Sequence, residues 1–277
     1  MPTIEVNDTT LHYERCGDGP PVLFVHGMCG DAEVWADQAE RISAHGYTCV
    51  RYDRRGHSRS ACGTTTITDA LHADDTAALI DELGLAPCLL VGSSGGAAIA
   101  VDVALRYQPR LRGAVFSEPP LFSLDKDAGQ AFMHALVPRL EKTIVDEGPR
   151  AGVDAFFSHV CPGLWSSIDD SRKDRYRANA DIGFTDLRSP SLQVAPNELS
   201  AVTIPTLVMV GSESLPAFHA IARRLTAGLA DARFIELDGS GHVTYAERPD
   251  DFARAVTVFA SELGEAIPAV RGRTVAK

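Results

Sequence analysis

Apolar residues in this chain fall into short strand-like runs separated by longer stretches where they recur every three or four positions. Val22-Leu23-Phe24-Val25 is continuous, as expected of a strand buried on both faces. Tyr47–Tyr52, Cys88–Val91, Gly113–Ser117, Thr206–Gly211 and Arg233–Leu237 read as further strands. Residues 3–15 alternate around Asn7-Asp8, which predicts a small N-terminal hairpin. Helical spacing fills the gaps. Val34, Trp35, Ala39 and Ile42 share one face, and a long helix from Thr68 or Asp69 carries Leu71, Ala78, Leu79 and Leu83 to a stop at Gly84. Another runs from residue 95 to Gln108-Pro109, and two more span Pro216–Leu229 and Pro249–Leu263. Strands alternating with helices predict an α/β fold with a mostly parallel, doubly wound sheet. Residues 121–200 break the rhythm: they are helical, more polar and free of strand-like runs, and the core pattern returns between Pro190 and Pro205. The tail from Glu265 is expected to fray.

In such sheets chemistry collects at the carboxyl ends of strands. Four of these ends carry polar candidates. The run at 88–91 leads into Gly92-Ser93-Ser94-Gly95-Gly96, a G-x-S-x-G between a strand and a helix. That context suits a nucleophile elbow, in which a strained turn pushes the hydroxyl of Ser94 out at the top of the sheet and flanking glycines let strand and helix pass closely. An ordinary Gly/Ser turn is the bland alternative. His242 follows a strand and a Gly-Ser-Gly turn, and can serve as general base for Ser94, which is a poor nucleophile without one. His26-Gly27-Met28 ends the strand expected beside the elbow. Its Met28 N–H and the Gly95 N–H can converge into an oxyanion hole, while His26 itself is read as holding the loop. Glu118 ends the strand after the elbow helix.

Composition narrows the partners. The 277 residues carry a formal charge of −11, which disfavours nucleic acid. The small basic cluster Arg51, Arg54, Arg55 and Arg59 surrounds Asp53 and reads as a solvated loop. No stretch approaches the ~18 apolar residues of a membrane span, and the N-terminus does not look like a signal peptide. The six cysteines are irregularly spaced and read as reduced cytoplasmic thiols. No histidine pattern supports a metal site, and no cofactor is implied. The oligomeric state is not legible.

Taken in order, His26-Gly27, Asp53-Arg54-Arg55-Gly56-His57-Ser58, Gly92–Gly96 and Gly241-His242 resemble the α/β-hydrolase fold superfamily over nearly the full chain. The resemblance implies an eight-stranded sheet as core (1–120 and 201–277) with a helical lid at 121–200. It also strengthens Ser94 as nucleophile and His242 as base. The acid departs from the usual pattern. The loop Gly211-Ser212-Glu213-Ser214-Leu215-Pro216 has Ser214 where an Asp is expected, with Glu213 one residue out of register. Glu118 is the other candidate, and it is favoured. The zearalenone lactonases, whose acid lies at that point, are similar in Ser93-Ser94-Gly95, Ser117-Glu118-Pro119 and the Asp-less late loop. Glu118 as a lid-anchoring ion pair and Glu213 as a solvated charge are the structural alternatives.

The expected activity is hydrolysis of a carboxylic ester or lactone through an acyl-enzyme. Perhydrolase or C–C bond hydrolysis on the same triad, or a non-catalytic ligand-binding role, are the alternatives. If Phe132, Leu136, Phe156, Phe157 and Trp165 face the sheet, the lid lines an apolar pocket, with Trp165 a substrate contact. Cys29, beside the proposed oxyanion donor, is expected to make the protein sensitive to bulky thiol reagents.

Overall fold

A computed structural model describes residues 2–189 and 191–264. Eight strands form one sheet: β1 (Thr3–Val6), β2 (Thr9–Cys16), β3 (Pro21–Val25), β4 (Thr48–Tyr52), β5 (Cys88–Ser93), β6 (Leu111–Ser117), β7 (Thr206–Gly211) and β8 (Ala232–Leu237). Their spatial order is β1-β2-β4-β3-β5-β6-β7-β8. β1 and β2 pair antiparallel, β2 joins β4 antiparallel, and every later pairing is parallel. The expected fold class is therefore found. Every residue of β5 and β7 is buried, and burial on both faces explains why these strands read as continuous apolar runs.

The helices are α1 (Ala36–Ser43), α2 (Asp69–Glu82), α3 (Gly95–Arg106), α4 (Lys126–Glu147), α5 (Pro149–Val160), α6 (Pro162–Ser167), α7 (Asp170–Ala178), α8 (Ala180–Arg188), α9 (Pro216–Gly228), α10 (Thr244–Glu247) and α11 (Pro249–Glu262). Thr68 caps α2, its hydroxyl accepting from the Leu71 N–H at 3.1 Å. Proline opens α9 and α11, where its missing N–H would have no helical partner anyway. Among the described residues no helix is long and apolar enough to cross a membrane. The expectation for the tail from Glu265 falls outside the described residues.

α4 to α8 are inserted between β6 and β7. They are tied to the sheet's loops by polar contacts. The Asn179 side chain accepts from the Ser58 N–H at 2.8 Å and donates to the carbonyls of Cys29 and Gly30 at 3.2 and 3.1 Å. Arg175 pairs with Asp31 at 2.6 Å.

The loop after β4 corrects the sequence reading. It is not a solvated basic patch: Arg54 and Arg55 are buried, as is Asp53. Arg55 forks onto Asp75 at 2.7 and 2.8 Å and reaches Asp8 at 2.6 Å, while Arg59 holds Asp53. Two of these carboxylates, Asp8 and Asp75, come from distant parts of the chain, so their pairing is invisible in a local reading. With its partners supplied, a guanidinium can be buried as a bidentate pair.

Candidate active site

β5 ends at Ser93 and α3 begins at Gly95, so one residue makes the whole turn. That residue, Ser94, has φ 53° and ψ −126°, a conformation that costs a non-glycine residue on the order of 1–3 kcal/mol. The neighbours enforce it. A Cβ on Gly92 would meet the Gly96 carbonyl oxygen at 2.3 Å, and one on Gly96 would meet the Val25 carbonyl oxygen at 2.2 Å. The Ser94 N–H donates to the Ser117 carbonyl at 2.9 Å, anchoring the turn to β6.

The loop after β8 brings His242 over this turn. Glu247 clamps it, accepting from the N–H groups of Gly241 and Val243 at 2.7 and 3.1 Å. His242 Nε2 lies 3.0 Å from Ser94 Oγ, and the Phe218 ring packs on the imidazole with centroids 4.3 Å apart. On the other side His242 Nδ1 lies 3.0 Å from Glu118 Oε2. A carboxylate can only accept there, so Nδ1 carries the proton and Nε2 is left to accept from the serine hydroxyl.

Glu118 directly follows β6 in a left-handed conformation, φ 57°, and is fully buried. Its Oε1 accepts from the Gly211 N–H and its Oε2 from the Ser214 hydroxyl, both at 2.7 Å. Glu213 is exposed, and its N–H donates to the Ser240 carbonyl at 2.8 Å. The structure thus brings Ser94, His242 and Glu118 into one hydrogen-bonded chain and leaves Glu213 facing water. The sequence reading passed over Ser214 and Glu247. Ser214 had a signal: it stands where an Asp was expected, and there it supports a carboxylate supplied by the neighbouring strand. Glu247, five positions after His242, had none.

Met28 and Gly95 also come together. A Cβ on Gly95 would lie 3.8 Å from the Met28 N, and neither backbone N–H has a hydrogen-bond partner among the described residues. His26 is buried below, with Nδ1 2.9 Å from the Gly27 carbonyl and Nε2 accepting from the Arg54 N–H at 2.9 Å. Burial and the adjacent Arg54 push its pKa down to about 3, so it stays neutral and braces the loop. Cys29 is buried, and burial pushes its thiol up to about 12. A thiol so protonated and enclosed is a poor target for bulky reagents, contrary to the expectation.

A cavity of about 330 Å³ opens beside Ser94 and His242. Met28, Ile99, Phe122, Phe132, Phe156 and Phe218 form much of its wall, and Arg54, Asp69 and Asp186 form a polar part. Of the apolar residues expected to line a pocket, Phe132 and Phe156 do so. Leu136 does not, and Phe157 borders only a small recess that shares Met28, Ser94 and His242 with the cavity. Trp165 does not contact the cavity either. It stacks on Phe157 at 4.7 Å and donates its indole N–H to Asp154 at 3.1 Å, gluing α5 to α6. Among the described residues no group of three or more His, Cys, Asp or Glu side chains is arranged to hold a metal ion.

The profile described as the alpha/beta hydrolase family matches residues 22–255. The uncharacterised hydrolase YraK of Bacillus subtilis is 36% identical over 124 residues, spanning 44% of this chain and 45% of YraK, so the chain matches about half the length of that relative. The putative carbamate hydrolase RutD of Azorhizobium caulinodans is 24% identical over 96% of this chain and 100% of its own length. Among solved structures, the enol-lactonase from Burkholderia xenovorans LB400 superposes with a TM-score of 0.76 at 25% identity, covering 94% of this chain and all of that one.

Proposed function

The chain belongs to the alpha/beta hydrolase family, and we propose that it is a serine hydrolase cleaving a carboxylic ester or lactone. One observation carries the reading: the chain Ser94–His242–Glu118, with both links at 3.0 Å, sits on a strained turn at the floor of a mostly apolar cavity. His242 takes the Ser94 proton as Oγ attacks the substrate carbonyl. Glu118 fixes the tautomer and stabilises the imidazolium that forms. The Met28 and Gly95 N–H groups face the developing oxyanion, a contribution of about 3 kcal/mol per donor in comparable sites. The tetrahedral intermediate collapses to an acyl-enzyme as His242 returns the proton to the leaving alcohol. Water, deprotonated by His242, then releases the acid and restores Ser94.

In this reading α4 to α8 act as a cap over a core of residues 1–120 and 201–277. Cap residues Phe132, Met133 and Phe156 in the cavity wall support it, and so does the apolar character of that wall, which suits a medium-sized apolar acyl group or lactone. No cofactor enters any step. The acid on the strand after the nucleophile helix supports the likeness to the zearalenone lactonases. The enol-lactonase among the similar structures also fits lactone cleavage.

The test is turnover of short p-nitrophenyl esters and a macrolactone panel by wild type and Ser94→Ala, with product analysis to separate hydrolysis from perhydrolysis or C–C cleavage. Turnover lost in Ser94→Ala, together with labelling of Ser94 by a fluorophosphonate, supports the proposal. A wild-type protein that neither turns over nor labels refutes it in favour of ligand binding.

A further inference from the structure

The cavity wall is not uniformly apolar. Arg54, Asp69 and Asp186 line it together, and they are drawn from the loop after β4, the first turn of α2 and the last turn of α8. Arg54 belongs to the immediate surroundings of the nucleophile: its Nη2 reaches the Gly27 carbonyl at 3.3 Å, and a Cβ on Gly27 would lie 3.1 Å from Ser94 Cβ. The side chain of Arg54 is only 3% exposed, yet its Nε has no hydrogen-bond partner. Its Nη2 meets Asp186 Oδ2 at 2.9 Å, an ion pair whose alignment leaves that oxygen without a hydrogen bond. Asp69 Oδ2 accepts from the Leu192 N–H at 2.8 Å, and Oδ1 makes no hydrogen bond among the described residues. Buried polar atoms are normally satisfied, yet Arg54 Nε and Asp186 Oδ2 are not, and the half-buried Asp69 Oδ1 beside them is the unpaired atom that the cavity can reach, which makes this wall suited to a polar partner.

Its charge says which one. A single guanidinium faces two carboxylates. His26, His57 and His72 stand behind it, and burial together with Arg54 pushes all three down, so they add no positive charge near neutral pH. A substrate carboxylate would meet the two Asp side chains with only an already paired Arg to offset them. A hydrocarbon end would cover Asp69 Oδ1 and leave it dry and unpaired. A hydroxyl can donate to Asp69 Oδ1 and accept from the Arg54 side.

Resting on the hydrolase reading, we propose that Asp69, with Arg54 and Asp186, forms a subsite that selects esters or lactones bearing a free hydroxyl group, and rejects carboxylate-bearing ones. The subsite makes the cavity two-faced. Phe132, Phe156 and Phe218 hold the hydrocarbon, and the Asp69 wall fixes its polar end.

The experiment is a length series of p-nitrophenyl esters of ω-hydroxyalkanoic acids, each with its methyl-ended and carboxylate-ended counterpart. They are assayed on wild type, Asp69→Ala and Asp69→Asn. At the best length, wild-type kcat/KM is expected to favour hydroxyl over methyl by about tenfold, the size of one net hydrogen bond, with the carboxylate-ended ester lowest. Asp69→Ala brings the hydroxyl-to-methyl ratio to near one. Asp69→Asn, which keeps the shape and removes the charge, raises the carboxylate-to-methyl ratio and decides the matter if the alanine variant does not fold. A wild-type ratio near one at every length overturns the subsite, as does an unchanged pattern in the folded variants. If the methyl-ended esters are not turned over either, the hydrolase reading itself has failed and the subsite falls with it.

Discussion

Replacing Glu118 with Gln tests the proposed acid with little change of shape. Three groups converge on the two Glu118 oxygens: the Gly211 N–H and the Ser214 hydroxyl at 2.7 Å, and His242 Nδ1 at 3.0 Å. A glutamine offers one acceptor oxygen and one NH2 group. The Gly211 N–H is a fixed backbone donor and claims the oxygen. The NH2 then faces His242 and Ser214, whose hydroxyl can rotate to accept, whereas Nδ1 must give up its proton to accept. His242 is thereby driven into the tautomer with Nε2 protonated, and it can no longer take the proton of Ser94. The loss of the wrong-tautomer kind is ~10⁴-fold in kcat, or about 5 kcal/mol of transition-state stabilisation. Glu213→Gln, an exposed change, leaves kcat within about twofold, as surface substitutions usually do. The assay is steady-state hydrolysis of a p-nitrophenyl ester, with thermal melting to confirm folding. A folded Glu118→Gln protein within tenfold of wild type would refute the reasoning, and a crippled Glu213→Gln would move the acid to the loop after β7.

Other expectations concern the scaffold. His26, His57 and His72 are held neutral, with folded pKa values depressed below 6.5 and that of His26 at about 3. Their contribution to stability is therefore complete above pH ~6.5 and is lost as pH falls from there towards the folded values, by up to about 1.4 kcal/mol per pH unit for each. Urea titrations at pH 7 and pH 5 should show the lower stability at pH 5, and equal midpoints and slopes would contradict it. Asn179→Ala leaves the Ser58 N–H and the buried carbonyls of Cys29 and Gly30 without their partner, costing about 1–3 kcal/mol of stability. It also frees the loop that presents Met28, so kcat should fall ~10- to 100-fold with KM less affected. Unchanged kcat in the folded variant would separate that loop from catalysis. Trp165→Ala removes a stacked ring from between α5 and α6 and should cost about 3–5 kcal/mol of stability, with the ranking of substrates preserved. A changed ranking would place Trp165 back against the substrate.

The sequence by itself determined the elements and much of the site's inventory. Continuous apolar runs mark doubly buried strands because no polar residue is tolerated on either face, as at 22–25 and 88–91. The turn at Ser94 is legible because only glycine fits where a Cβ would strike backbone at 2.2–2.3 Å, so Gly92 and Gly96 are dictated by local geometry. Glu118 could be named as a candidate beside Glu213, but their sequence positions do not say which one meets His242. The tertiary structure separates them: β6 and β7 are adjacent parallel strands, so the end of one delivers Glu118 to the Gly211 N–H and the Ser214 hydroxyl of the other. The same limit hid the burial of Arg54 and Arg55, whose carboxylate partners lie at positions 8, 75 and 186. It also misplaced Trp165, because helical spacing gives a residue's face on its own helix and not what that face meets. Charge pairing and cavity lining depend on contacts between residues far apart in the chain, and those are fixed only when the sheet assembles and the inserted helices dock on it.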